Sequence, residues 1–236
     1  VIYAYYYLYG TFEEDAPGPY DSRFLIASRL YNRALGRGLA LGENGKWKYK
    51  ERVRRLPVGG ITLSHIKNYL GLPVEDFQSF LPADDYEVQG LTIRNRIAGI
   101  GLPLIAIQNK SEQNPLGTAI PITAILKVEG DIRALSNSTA SAYMEVYSGY
   151  ETTATTIKNR KVPLETDSTT PLAYQLNDAP IWDLGIKAFL NPGQQKSQLV
   201  NLQPYQKGRI PVIFVHGTAS SPVWWAEMWN TLSADP

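Results

Sequence analysis

Arg209-Ile210-Pro211-Val212-Ile213-Phe214-Val215-His216-Gly217-Thr218-Ala219-Ser220-Ser221-Pro222 is the stretch on which the reading of the chain turns. Val212 to Val215 is an unbroken apolar run, the pattern of a strand buried on both faces in a mostly parallel sheet. Gly217 supplies a sharp turn. Ser221 followed by Pro222 then reads as a helix start, an N-cap residue and a proline at the first helical position. Trp225, Met228/Trp229 and Leu232 share one face of the helix that should follow. Strand, glycine turn and helix make the first half of a βα unit, and the sequence ends at Pro236 before a second parallel strand.

The turn carries chemistry. A carbonyl under nucleophilic attack develops negative charge on its oxygen, and a preorganised amide in a dry site stabilises it by roughly 3–4 kcal/mol. Gly217 lets backbone and substrate approach closely. Thr218 would then offer its N–H to the oxyanion, with His216 bracing the loop rather than acting as base. Val212–Thr218 resembles the strand and turn of α/β-hydrolases, in which a buried strand ends in His-Gly-X and the amide of X forms half of the oxyanion hole. A buried strand that merely ends in His-Gly is common in α/β proteins, and the heptapeptide does not separate the two readings. The continuation through Ser220-Ser221-Pro222 into Trp224-Trp225-Ala226-Glu227-Met228-Trp229 favours the hydrolase.

The resemblance extends along the chain, to the region before and into the catalytic domain of large bacterial lipase- or esterase-like α/β-hydrolases. It rests on the Tyr-rich start with Arg29–Leu35, on Pro82–Leu91, on Val162–Asp167 with Pro171–Tyr174, and on the His-Gly-Thr segment. Only the last has chemistry attached. The resemblance implies an exported, periplasmic or membrane-associated protein acting on ester or lipid substrates.

What is missing is equally informative. The nucleophile elbow of such enzymes is Gly-x-Ser-x-Gly, with an acid and then a histidine later in the chain. No Gly-x-Ser-x-Gly occurs, and the two histidines are His65 and His216. His65 lies upstream, where the order of the triad does not place the base. Nucleophile, acid and base are therefore expected in sequence beyond Pro236, with this chain inactive alone. The chain has no Cys, which removes disulfides, thiolate ligands and a Cys nucleophile. With two histidines and no Cys, neither a metal nor a cofactor is expected. A net charge of +1 gives no reason to expect nucleic acid.

The fold class expected is α+β passing into α/β. Residues 1–45 form a helical segment, residues 46–195 a β-rich accessory domain, and residues 196–236 the truncated start of the catalytic domain. In the first, residues 1–10 end a helix at Gly10. Asp21 caps a second, with Phe24, Ala27, Leu30/Tyr31 and Ala34/Leu35 at helical spacing and Arg23, Arg29, Arg33 and Arg37 mostly opposite. The opening run Val1–Tyr9 is too short to span a bilayer and lacks the features of a signal peptide. Strands are expected at Leu102–Gln108, Thr118–Val128, Ala142–Tyr147, Thr152–Ile157, Leu172–Leu176 and Leu199–Leu202, and short helices at Leu63–Tyr69 and Trp182–Leu190. Tyr143 and Tyr147 should face away from Met144 and Val146.

Other candidates read as structural. Asp84-Asp85 in a Pro-rich turn suits capping or solvent. The basic run Lys46–Arg55, interleaved with Trp47 and Tyr49, reads as a solvated strand face before it reads as a phosphate or lipid contact. Against the hydrolase stands a second reading: a non-catalytic structural or interaction subunit of a larger assembly, using strand edges and a heavy aromatic surface of fifteen Tyr and five Trp. A carbohydrate-binding β-sandwich is a weaker third.

Overall fold

A computed structural model describes residues 1–10, 16–39, 52–55, 59–108, 118–178, 203, 208, 210–215 and 222–234. It is a mixed α and β fold, in keeping with the α+β expectation. Two helices, α1 (Ile2–Tyr9) and α2 (Ser22–Leu39), open the chain. The strands that follow are β1 (Arg52–Arg55), β2 (Gly60–Tyr69), β3 (Phe77–Pro82), β4 (Arg96–Ile97), β5 (Leu102–Gln108) and β6 (Ala119–Glu129). A short helix α3 (Ile132–Ser136) leads into β7 (Ala140–Ser148), β8 (Ala154–Ile157), β9 (Arg160–Pro163) and β10 (Thr166–Asp167). Helices α4 (Thr169–Asp178) and α5 (Ala226–Ala234) are the last two among the described residues.

One six-stranded sheet runs β1-β2-β7-β6-β5-β3, with β2 and β7 parallel and every other pair antiparallel. The sheet must curl. Four spacings separate β2 from β3, about 19 Å if flat, while seven connecting residues reach about 23 Å only when fully extended. Residues Val74–Asp76 of that connection are instead a 3-10 turn.

β6 is the centre of the core. All its residues from Ala119 to Val128 are buried, and so are Leu102–Ala106 of β5. The ladder to β5 ends at Leu102↔Ala124, which leaves the rest of that β6 edge without a strand among the described residues. Tyrosines of the two opening helices fill the gap. The Tyr31 hydroxyl accepts from the Leu126 amide at 2.7 Å and donates to the Leu126 carbonyl at 2.6 Å. Tyr6 reaches the carbonyls of Gly130 and Asp131, just past the end of β6, at 3.2 and 3.1 Å. At Leu126 a side-chain hydroxyl thus takes the place of a neighbouring strand's peptide group. The buried side of α2 follows the expected periodicity through Phe24, Ala27, Tyr31 and Leu35, with Asp21 accepting from the Arg23 amide at 2.8 Å.

β5 fills its expected span, and β6, β7 and β8 fall within a few residues of theirs. Tyr143 and Tyr147 lie opposite Met144 and Val146, as the alternation predicts. Two local expectations are overturned. Leu63–Tyr69 lies in strand β2 rather than a helix, because parallel pairing with β7 outweighs an ambiguous local pattern. Leu172–Leu176 lies in helix α4 rather than a strand. Its apolar residues Leu172, Ala173 and Leu176 have helical spacing, and Asp167 accepts from the Thr170 amide at 2.9 Å in its first turn. The expected elements at Trp182–Leu190 and Leu199–Leu202 lie outside the described residues.

Candidate functional site

Ile210–Val215, the expected buried strand, belongs to no β-ladder among the described residues. Ile210, Val212, Ile213 and Val215 are 89%, 63%, 71% and 77% exposed. The expected first strand of a parallel sheet is therefore not formed among the described residues. A two-sided apolar strand needs ladder partners on its edges and layers on its faces, and no described element supplies them. The turn residues His216, Gly217 and Thr218 lie outside the described residues.

The flanks of the turn are ordered relative to each other. After a 3-10 turn at Pro222–Trp225, α5 begins, as the Ser221-Pro222 signal predicts. Phe214 packs its ring on Trp225, centroids 5.6 Å apart, and edge-on to Trp229 at 6.1 Å. The indole N–H of Trp225 is buried without a hydrogen-bond partner beside this contact.

Polar contacts fix α5 to the rest of the fold. Asn230 is fully buried; its side chain accepts from the Thr169 hydroxyl at 2.7 Å and donates to the Ile93 carbonyl at 2.8 Å. Asn95 donates to the Asn230 carbonyl at 2.8 Å, and Glu227 accepts from the Thr92 amide and hydroxyl at 2.5 and 2.8 Å. The expected apolar stripe of this helix is half formed: Trp229 packs on Leu172 and Leu176, whereas Met228 and Leu232 are exposed.

Two clusters of charged side chains lie elsewhere. In the first, β4 and β10 pair Arg96 opposite Asp167. Arg94 donates to Asp167 at 2.7 and 2.9 Å, and Arg96 donates to Glu165 at 2.8 Å and bridges to Asp84. Asn32 of α2 donates to the other Glu165 oxygen and accepts from the Gly101 amide at 2.7 Å. Burial raises the Glu165 carboxyl above the usual range against the opposing pull of Arg96, while the bond from Arg96 lowers that of Asp84. Close approach here requires two glycines. A Cβ on Gly99 would lie 2.4 Å from the Leu164 backbone, and Gly101 holds a φ of +114° against Thr123. Every carboxylate is tied to an arginine, so the cluster is a brace rather than an acid–base pair. Asp84 of the Asp84-Asp85 pair is thereby structural, as its sequence setting suggested.

In the second cluster, Lys127 pairs with Glu145 at 2.5 Å, their side chains 10% and 4% exposed. The Lys127 ammonium also donates to the Thr155 hydroxyl at 3.0 Å and the Thr156 carbonyl at 2.9 Å. Tyr147 donates to Glu145 and lies 2.7 Å from the Thr155 hydroxyl. Burial, then the Glu145 carboxylate, hold the Tyr147 phenol protonated well above its usual range. His65 lies on β2 beside this face, stacked on Tyr143 with rings 5.6 Å apart and 2° from parallel. It is exposed and contacts no candidate nucleophile.

Sequence reasoning missed both clusters. The first had a signal: Arg94-x-Arg96 and Glu165-x-Asp167 repeat opposite charges at period two, the spacing of one face of a strand pair. The second had none, because Lys127, Glu145 and Thr155 meet only through pairings distant in sequence. Among the described residues no group of three or more His, Asp or Glu is placed to hold a metal ion, and no helix is long and apolar enough to cross a membrane. No protein-family model matches the chain, and neither a curated protein nor a solved structure shows significant similarity to it.

Proposed function

We propose that this chain is the leading part of a serine hydrolase of carboxylic esters or lipids, and that it supplies the oxyanion-hole turn but not the triad. The observation that carries the reading is the Phe214–Trp225–Trp229 contact. It joins the apolar segment Ile210–Val215 to a helix that follows the expected N-cap, so that the residues on either side of His216-Gly217-Thr218 meet. On this reading the exposed apolar run is the strand onto which the remaining hydrolase sheet pairs. Thr218 presents its amide to the oxyanion, Gly217 makes room for the acyl group, and His216 braces the loop. Catalysis would proceed through an acyl-enzyme formed by a serine outside these residues. Extracytoplasmic or membrane-associated placement belongs to the same proposal.

In the full-length gene product, a fluorophosphonate probe is expected to label a serine of a downstream Gly-x-Ser-x-Gly, and to leave the 236-residue chain unlabelled. Thr218→Ala keeps the amide and should keep the rate, whereas Thr218→Pro deletes it and should lower turnover about 100-fold. Labelling of the 236-residue chain, or equal rates for the two variants, would overturn the assignment.

One observation favours the non-catalytic alternative. An apolar strand segment with no ladder partner among the described residues is also what an interaction subunit presents to an assembly. A gene that ends without a nucleophile elbow would select that reading.

A further inference from the structure

The outward half of α2 has a composition that neither the core nor the proposed chemistry uses. At 100° per residue, Arg29, Arg33, Ile26, Arg37, Leu30 and Arg23 fall in that order across one arc, while Phe24, Ala27, Tyr31 and Leu35 occupy the opposite, buried side. Ile26 and Leu30 are 68% and 63% exposed, and all four arginines are exposed. Ser22–Leu39 contains no Asp, Glu or Lys. Arg23 is held by Asp21 at 2.6 Å, and Arg33 contributes to the field at Asp84. Arg29 and Arg37 have no ion pair among the described residues, so the charge is concentrated toward the C-terminal half of the helix. α1 packs beside α2 and turns Tyr3 and Tyr7 outward, 54% and 52% exposed.

We infer that this face of α2 docks on the surface of an anionic lipid bilayer. Two aliphatic side chains interleaved with guanidinium groups suit a boundary where acyl chains meet phosphates, and exposed tyrosines are suited to the headgroup level. The charge is of one sign, and the apolar component is only two side chains. Attachment is therefore reversible and dominated by anionic headgroups. A helix that docks in a protein groove does so through an apolar stripe, and two aliphatic side chains among four arginines do not make one, which favours lipid over protein as the occupant.

The test is flotation of the 236-residue chain with phosphatidylcholine vesicles, with and without roughly one third phosphatidylglycerol, at low and high salt. Binding is expected to the anionic vesicles alone and to be lost at high salt. Each neutralised arginine should cost about fivefold, so R29Q/R33Q/R37Q should weaken binding about 100-fold. I26S/L30S should weaken it while leaving the salt dependence intact. All five positions are exposed, and circular dichroism should report unchanged folding.

Because the chain lacks Cys, a fluorophore on L30C reports contact directly. It should shift to the blue with anionic vesicles, whereas one on E75C, in the connection between β2 and β3, should not. Equal binding to neutral vesicles, undiminished binding by the triple variant, or an unshifted L30C probe would each overturn the inference. Capture by soluble polyglutamate in place of vesicles would reassign the face to an acidic polypeptide. Vesicle binding without fluorophosphonate reactivity in the full-length product would separate this inference from the hydrolase proposal.

Discussion

Ala119–Val128 and Ile210–Val215 are both mostly apolar runs, rich in β-branched aliphatic residues and broken by one early proline. The first is buried throughout at the centre of a sheet; the second is largely exposed and outside any ladder among the described residues. The difference lies in what surrounds them. β6 has β7 along one edge, β5 along half of the other, and the hydroxyl of Tyr31 where β5 stops. Ile210–Val215 has the ring contact of Phe214 with α5 and no strand among the described residues. Apolar composition states a demand for burial; whether it is met depends on partners elsewhere.

The comparison can be broken at its strongest point. Ile125 in β6 is fully buried, so Ile125→Ala should destabilise the protein by about 3 kcal/mol, by lost transfer energy and a residual cavity. Ile213→Ala removes a side chain already in water and should change stability by less than about 0.5 kcal/mol. Denaturant unfolding of the two variants side by side checks this. A cost at Ile213 close to that at Ile125 would mean the segment is packed after all. In the full-length gene product, the hydrolase proposal expects the Ile213→Ala cost to rise.

A finer probe is the edge of β6. Tyr31→Phe keeps the ring and removes only the hydroxyl, leaving the buried Leu126 amide and carbonyl without their partner. The expected loss is about 2 kcal/mol in the same unfolding measurement. A negligible loss would mean that water reaches the edge, and that the tyrosines are packing residues rather than a substitute strand.

The smallest effects concern Glu165 and Asp84, which share Arg96 beside β6, where the Glu165 carbonyl accepts from Thr123 at 2.6 Å. Glu165 is raised by burial, so its contribution to stability is present below the ordinary glutamate pKa of about 4.3 and is lost as pH rises through the folded value. Asp84 is lowered, first by its bond from Arg96. Its contribution is present above about pH 4 and is lost as pH falls through the folded value. Unfolding across pH 3–7 should therefore show opposite changes of slope in E165Q and D84N. The D84N change should be only a few tenths of a kcal/mol, because that carboxylate is 47% exposed and screened. Slopes of the same sign would contradict the assignment of the two carboxylates.

Much of the scaffold was legible wherever a local pattern had one reading. Helix α2 followed its spacing and its Asp21 cap, β5 its short apolar run, and β7 its alternation of tyrosines against Met144 and Val146. β2 and α4 were misread because their patterns fit two periods, and a distant strand in one case and a cap from Asp167 in the other chose between them. At the candidate site the sequence located the helix start after Pro222, but the pairing of Ile210–Val215 could not be read from the segment.

By itself, the sequence determined which segments seek burial, where helices start, and that no cysteine or Gly-x-Ser-x-Gly chemistry resides in these residues. Only the tertiary structure decided that Tyr31 completes a strand edge, that Arg96 joins Asp84 to Glu165, and that Lys127 meets Glu145 and Thr155. The reason is physical. Periodicity and capping act within a few residues, whereas the satisfaction of a buried peptide group or charge depends on atoms that chain folding brings from far along the chain, 95 residues away in the case of Tyr31 and Leu126.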